Sequence, residues 1–205
     1  MIDNIDKFPI IILSSPRTGS TVLAEILSKK FPTLELFSEP DSHRKKLGAR
    51  DSMDGFSNYS NGSNQYILKC HLINLSKYPP NLIEKIINHE AFLIKIKRKS
   101  IIDQMVSTYI ELVRKMWYYD MVTFKKYKDE KIPIESAIIE DAVKIIKEAN
   151  ESFNKIQIEY DLEIYYEDLV NIINDNYKIR SNIAPKPINR NEIYEAIEHH
   201  LLNNK

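Results

Sequence analysis

His71 stands two residues after Lys69, at the end of the run Tyr66-Ile67-Leu68-Lys69-Cys70-His71. Side chains of a strand repeat with period two, so this spacing sends a cation and a proton acceptor to the same side. Three other apolar runs end in chemically capable residues. Pro9 to Leu13 leads into Ser14-Ser15-Pro16-Arg17-Thr18-Gly19-Ser20-Thr21, Leu34 to Phe37 into Ser38-Glu39, and Ala91 to Ile96 into Lys97-Arg98-Lys99. Cations after three separate strands suit a ligand with several anionic groups, and Glu39 joins His71 as a group able to take a proton. Each residue also has a plainer reading: His71 as a strand-end hydrogen bond, Glu39 as a cap or ion pair, Arg98 and Lys99 as a solvated turn.

The first of these stretches is the most specific. Ile10-Ile11-Ile12-Leu13 is a β-branched apolar run of the kind buried on both faces of a parallel sheet, and Val22, Leu23, Ile26 and Leu27 share one face of a following helix. A strand, a turn of small hydroxylated residues and a helix N-terminus make an anion site, because free backbone N–H groups and the helix dipole converge there. In the nucleotide-triphosphate loop G-x-x-x-x-G-K-[ST], Gly19 falls on the second glycine and Thr21 on the closing hydroxyl. Ser14 then takes the place of the first glycine and Ser20 that of the lysine. The cation of the turn is Arg17 instead. This is a poor site for ATP with magnesium and a suitable one for another phosphate-bearing donor; the alternative is an ordinary strand-to-helix turn.

The elements that must position these residues alternate along the chain. After the first helix come a strand at Leu34 to Phe37, a strand at Tyr66 to Lys69, a helix from about Pro79 to His89 and a strand at Ala91 to Ile96. Ile101 to Met116 reads as a helix with Ile102, Met105, Val106, Tyr109 and Val113 on one side. Pro133 is expected to open a longer helix through Phe153, Leu162 to Tyr166 to form the last strand, and Glu167-Asp168 to begin the next helix. A final helix is expected from about Asn191, after a loop holding Lys186 and Arg190. Residues 41–65 are polar and read as a long loop, either a lid or acceptor-binding segment or a disordered one. This alternation predicts an α/β fold: a three-layer sandwich with a central, mainly parallel sheet, as one domain over residues 1–205, its ligand at the carboxyl ends of the strands.

Bulk properties narrow the function. The 205 residues carry 29 basic and 29 acidic side chains, so the basic excess of a nucleic-acid binder is missing. One cysteine, Cys70, excludes an internal disulfide framework and fits a reducing compartment. The first residues lack the apolar core of a signal peptide, and no stretch is long enough to span a bilayer, so a cytoplasmic protein without a membrane partner is expected. His199-His200 lack a partner at metal-ligand spacing and read as surface residues, and Trp117-Tyr118-Tyr119 as core or cleft packing.

Four stretches in this order resemble the sulfotransferases that use 3'-phosphoadenosine-5'-phosphosulfate (PAPS). Ser15 to Thr21 is similar to that family's loop for the 5'-phosphosulfate, in its arginine-bearing form. Lys69-Cys70-His71-Leu72 is similar to a lysine-x-histidine-leucine motif in which the histidine is the catalytic base and the lysine aids the leaving group. Arg98 with Ser107 resembles the pair that binds the 3'-phosphate, and Tyr166-Glu167-Asp168-Leu169 a tetrapeptide at the start of a late helix. The interval from Arg98 to Ser107 is one residue longer than usual, which leaves Lys99 as an alternative cation. The family's glycine-rich nucleotide loop near the C-terminus has no counterpart.

The resemblance implies sulfuryl transfer from PAPS to a hydroxyl of a carbohydrate or small-molecule acceptor, releasing the bisphosphate product PAP, without a metal. Such transfer depends on in-line positioning and charge stabilisation. In it His71 takes the acceptor proton, with Glu39 in reserve because some bacterial members use a glutamate. Arg17 and Lys69 balance charge on the transferring group, and Thr18, Gly19, Ser20 and Thr21 hold the 5'-phosphate. A small-molecule or nucleotide kinase with a degenerate loop is the alternative enzyme, and a nucleotide-binding protein without catalysis the alternative outside enzymes. Acceptor identity and oligomeric state are left open.

Overall fold

β1, Ile10–Ser14, is buried at every position. A strand apolar on both faces demands cover on both, and that demand organises the fold. A computed structural model describes residues 5–40, 52–115, 127, 130–169 and 186–204. The chain divides into two compact units, Met1–Lys97 with Ser152–Ile179, and Arg98–Glu151 with Arg180–Lys205.

The first unit holds a five-stranded sheet in the order β2-β3-β1-β4-β5, with β2 at Glu35–Ser38, β3 at Tyr66–His71, β4 at Phe92–Lys97 and β5 at Leu162–Tyr165. Every pairing is parallel, so all five carboxyl ends lie at one edge of the sheet. α1, Ser20–Lys30, covers one face: its Leu23, Ile26 and Leu27 pack with Ile10, Ile12, Ile67, Ile94 and Ile96. The other face carries Ile11, Leu13, Leu68, Cys70 and Leu93. These meet Phe56 of α2, Met53–Gly62, and Leu82 and Ile86 of α3, Pro80–Ile87. The result is the α/β sandwich with a parallel central sheet that the alternation predicts.

Two elements of this unit depart from the sequence reading. α2 lies inside the stretch expected as a polar loop over residues 41–65. Its polar composition hides one apolar anchor: Phe56 is fully buried, edge-on to Phe37, Tyr66 and Tyr78. Ser52 caps it, its Oγ accepting from the Gly55 N–H at 3.1 Å, and Asp54 in the first turn suits the dipole. Residues 41–51 of that stretch lie outside the described ones. A 3-10 helix at Leu72–Lys77 directly follows β3, where no element was expected.

The second unit is helical. α4, Ile101–Arg114, is capped by Ser100, whose Oγ accepts from the Asp103 N–H at 3.1 Å. Its Met105, Val106, Tyr109 and Ile110 pack with Ile139, Ala142, Val143 and Ile146 of α5, Ser136–Lys155, and with Ile193 and Ile197 of α6, Arg190–Asn203. The residues of α5 from Ser152 onward belong to the first unit. Pro133 does not open α5, which begins three residues later. The Pro133 carbonyl instead accepts from the Tyr109 hydroxyl at 2.6 Å, and that hydroxyl accepts from the Glu135 N–H at 2.9 Å. Arg190 is the first residue of α6 and pairs with Asp103, so it is not the loop residue expected. Trp117-Tyr118-Tyr119 lie outside the described residues. Among those described, no helix is long and apolar enough to cross a membrane.

The packing under α2 contains one mismatch. Tyr66 is fully buried among Phe37, Phe56 and Tyr59, its hydroxyl has no hydrogen-bond partner, and burial pushes its phenol well above the ordinary value. An unsatisfied buried hydroxyl costs about 1–3 kcal/mol. Tyr66→Phe removes it without changing the ring, so denaturant unfolding should show equal or greater stability; a loss of more than about 1 kcal/mol would mean that the hydroxyl is bonded.

Candidate functional site

The sheet register sets the site. β3 lies between β2 and β1, with Lys69 opposite both Ser38 and Ile12, and His71 opposite Ser14. Lys69 and His71 point to the α1 face of the sheet, while Cys70 between them packs on the other face. Glu39 follows β2 immediately. Its N–H donates to the Lys69 carbonyl at 2.8 Å, which extends the β2–β3 ladder by one bond. The backbone then turns through a left-handed conformation at Glu39, φ 52°, which costs a non-glycine residue about 1–2 kcal/mol. A strained conformation of that kind persists only where its surroundings hold it.

What holds it is the carboxylate. Glu39 Oε1 accepts from Lys69 Nζ and lies 2.7 Å from His71 Nε2. Lys69 Nζ also donates to Thr21 Oγ1 at 3.0 Å, in the first turn of α1. On its other side His71 Nδ1 is 3.1 Å from Ser14 Oγ. The glutamate and the lysine are both buried, at 7% and 4% exposure, so neither charge is screened by solvent. Burial by itself raises the Glu39 carboxyl. The His71 hydrogen bond and the Lys69 charge more than reverse that effect and hold it well below the ordinary carboxylate range. Glu39 is thus an ionised acceptor, and Lys69 and His71 are its donors.

The turn before α1 is built by two consecutive devices. Thr18, fully buried, closes it by donating from Oγ1 to the Ser15 carbonyl at 3.0 Å. Arg17 and Gly19 both take left-handed conformations, φ 62° and 78°. Gly19 is the N-cap of α1; it has no side chain to cap with, and its carbonyl accepts from Leu23. The first-turn N–H groups of a helix have no acceptor within the helix, so the turn presents donors. Gly19 also has a steric reason. A Cβ there would come within 2.1 Å of the Tyr166 ring, and residues 166–169 are helical, so the Tyr166-Glu167-Asp168-Leu169 stretch packs on the turn.

The structure therefore brings together Glu39, Lys69, His71 and Thr21, with Thr18, Gly19 and Ser20 in the adjoining turn. Thr18 spends its hydroxyl inside the turn, and Ser20 is buried as the first residue of α1. Arg98 and Ser107 belong to the second unit, Arg98 just after β4 and Ser107 half-buried in α4. There Arg98 adds its charge to that of Arg190 in lowering the Asp103 carboxyl, against the opposing effect of burial, which is the largest single influence. Lys99 is exposed.

Sequence reasoning overlooked Ser14 as a member of the site. Its period-two position in β1, level with His71 across a parallel ladder, is the signal that points to it. Lys95 was also overlooked. This buried lysine of β4 sits 4.6 and 4.7 Å from the centres of the Phe153 and Tyr160 rings and 3.7 Å from Glu163, on the opposite sheet face from Lys69.

No protein-family model matches the chain, and no curated protein matches it significantly. Among solved structures it is similar to a crystal structure of the YorR protein from Bacillus subtilis in complex with phosphorylated GDP. The two share 14% identity over 81% of this chain and 96% of that one, with a TM-score of 0.38. A likeness that loose assigns neither ligand nor reaction to this chain.

Two outcomes follow from the geometry. Gly19→Ala should destabilise the protein by at least about 2 kcal/mol, from left-handed strain and the collision with Tyr166; unfolding midpoints measure it, and an unchanged midpoint would mean that the turn has another conformation. Glu39→Gln should lower stability at pH 7 by about 3 kcal/mol, because it strips the buried ammonium of its counter-charge. Since the Glu39 carboxyl is lowered in the folded state, its contribution is fully present above the ordinary value of 4.5 and is lost as pH falls below it. The gap between the two proteins should therefore narrow as pH drops from 4.5, and a gap that stays constant into acid would contradict the ion pair.

Proposed function

We propose that this protein is a sulfotransferase that moves the sulfuryl group of PAPS to a hydroxyl of a carbohydrate or another small molecule. The observation that carries this reading is the Lys69 ammonium, placed by Glu39 and by Thr21 against the first turn of α1. The turn has no lysine of its own, and Lys69 supplies from a neighbouring strand the charge that an anionic donor needs. A sulfuryl group carries less charge than a phosphoryl group, so one lysine, an arginine and backbone donors suit it.

The residues divide the work. The N–H groups of Thr18 to Thr21 take the 5'-phosphate, with Gly19 allowing close approach of the backbone. Lys69 and Arg17 balance the charge that collects on the bridging oxygen as the S–O bond to the donor breaks and the S–O bond to the acceptor forms. His71 receives the proton that leaves the acceptor hydroxyl. Glu39 is 2.7 Å away and ionised, so it steadies the imidazolium that results, as the carboxylate of a hydrolase triad does. A carboxyl held so far below its ordinary range is a weak base, which favours Glu39 as the orienting residue and His71 as the base.

Calorimetric titration tests the reading. The protein should bind 3',5'-adenosine bisphosphate without metal and in preference to ATP with magnesium. Preference for ATP with magnesium would replace the sulfotransferase by a kinase. With an acceptor in hand, His71→Ala should lower transfer by about 10²–10⁴-fold while bisphosphate affinity stays nearly unchanged; survival of transfer in that variant would remove His71 as the base.

A further inference from the structure

Both ring nitrogens of His71 are engaged within the protein. Nε2 faces the Glu39 carboxylate at 2.7 Å, and Nδ1 lies 3.1 Å from Ser14 Oγ. A carboxylate beside a lysine ammonium only accepts hydrogen bonds, so the proton of a neutral His71 ring is on Nε2. Nδ1 is then an acceptor, and among the described residues the donor facing it is the Ser14 hydroxyl. Ser14 is fully buried at the end of β1, and a second acceptor lies within its reach, the Cys70 carbonyl at 3.4 Å.

We infer that Ser14 is a positioning residue that governs His71, its hydroxyl donating to Nδ1 when the ring is neutral and turning to the Cys70 carbonyl, with its oxygen left as an acceptor, when Nδ1 carries a proton. This inference rests on the reading of His71 as the base of a sulfuryl transfer only for its consequence in turnover. The proton balance is simple. When the ring takes up a second proton it holds it at Nδ1: the Nε2–H stays on Glu39, the ring becomes an imidazolium, and the Ser14 O–H turns to the Cys70 carbonyl. Ser14 Oγ can then accept from the new Nδ1–H while it still donates to Cys70. Each protonation state of the ring is fully bonded by one rotation of one hydroxyl, with no backbone movement. A serine at this position satisfies both states; alanine satisfies neither.

The test begins with the free protein, uniformly labelled with ¹⁵N. Long-range proton–nitrogen spectra separate the rings of the five histidines, and His71 is assigned by its loss in His71→Gln. With the ring neutral, the parent should show a protonated Nε2 and a hydrogen-bonded Nδ1. In Ser14→Ala the Nδ1 signal should move to that of an unbonded imine nitrogen while Nε2 stays protonated. Ser14→Cys, similar in size with a weaker donor, should lie between the two, and it carries the comparison if the alanine variant does not fold. An Nδ1 signal that is the same in all three proteins, or a parent with its proton on Nδ1, overturns the inference.

In turnover, Ser14→Ala should lower kcat about tenfold with bisphosphate affinity unchanged. An equal loss of bisphosphate affinity would make Ser14 part of the donor site and also overturn the inference. If the parent transfers no sulfuryl group to any acceptor, the sulfotransferase reading fails, and the nitrogen signals still decide the role of Ser14.

Discussion

One buried carboxylate ties three strand ends together. Glu39 sits after β2, accepts from Lys69 and His71 of β3, and through them reaches Thr21 of α1 and Ser14 of β1. A buried ion pair is seldom a large source of stability, because desolvation offsets most of the Coulombic gain. Its value here is geometric. Each partner is held by more than one contact, so a single arrangement satisfies the charge, the hydroxyls and the imidazole together. The left-handed backbone at Glu39 is tolerated because this network over-determines it.

The network is possible only because the sheet is parallel. Parallel order brings the ends of β2, β3 and β1 to one edge, and the register sets Ser38 level with Lys69 and Ser14 level with His71. A one-residue slip of β3 would send Lys69 and His71 to the other face, beneath α2 and α3, and bring Cys70 to the α1 side. That slip is prevented by the apolar alternation. Ile67 belongs with α1, while Leu68 and Cys70 belong with Phe56, Leu82 and Ile86. Core packing thus aims the polar residues.

Legibility in the sequence followed the range of the interaction that determines each feature. Period two at Lys69 and His71, the apolar run of β1 and the turn into α1 are local patterns, and the α/β alternation followed from them. α2 was not legible, because its single strong anchor, Phe56, acquires meaning only against Phe37 and Tyr66, which lie on two other elements. Pro133 is a favoured helix opener, yet Tyr109 from α4 bonds its carbonyl, and α5 starts later. Glu39 was visible as a strand-end acid, while its union with Lys69 and His71 depends on strand order. Ser14 required the register as well as the order. The partition into two units has no mark in composition at Lys97 or Ser152.

In the proposed transfer, Lys69 has a divided allegiance that bears on selectivity. Its ammonium donates both to Glu39 and to Thr21. Glu39 neutralises much of the charge that the turn would otherwise offer to any small anion, so a lone phosphate or sulfate gains little from Lys69. A ligand that also occupies the backbone donors of the Gly19 turn gains from both at once, and part of its binding compensates for loosening Lys69 from Glu39. That competition is a form of negative selection against small anions, since the wrong ligand meets the same desolvation cost without the second set of contacts. Under the proposed function, a carboxylate placed to hold a histidine thereby also sets how readily the neighbouring lysine is released to the donor.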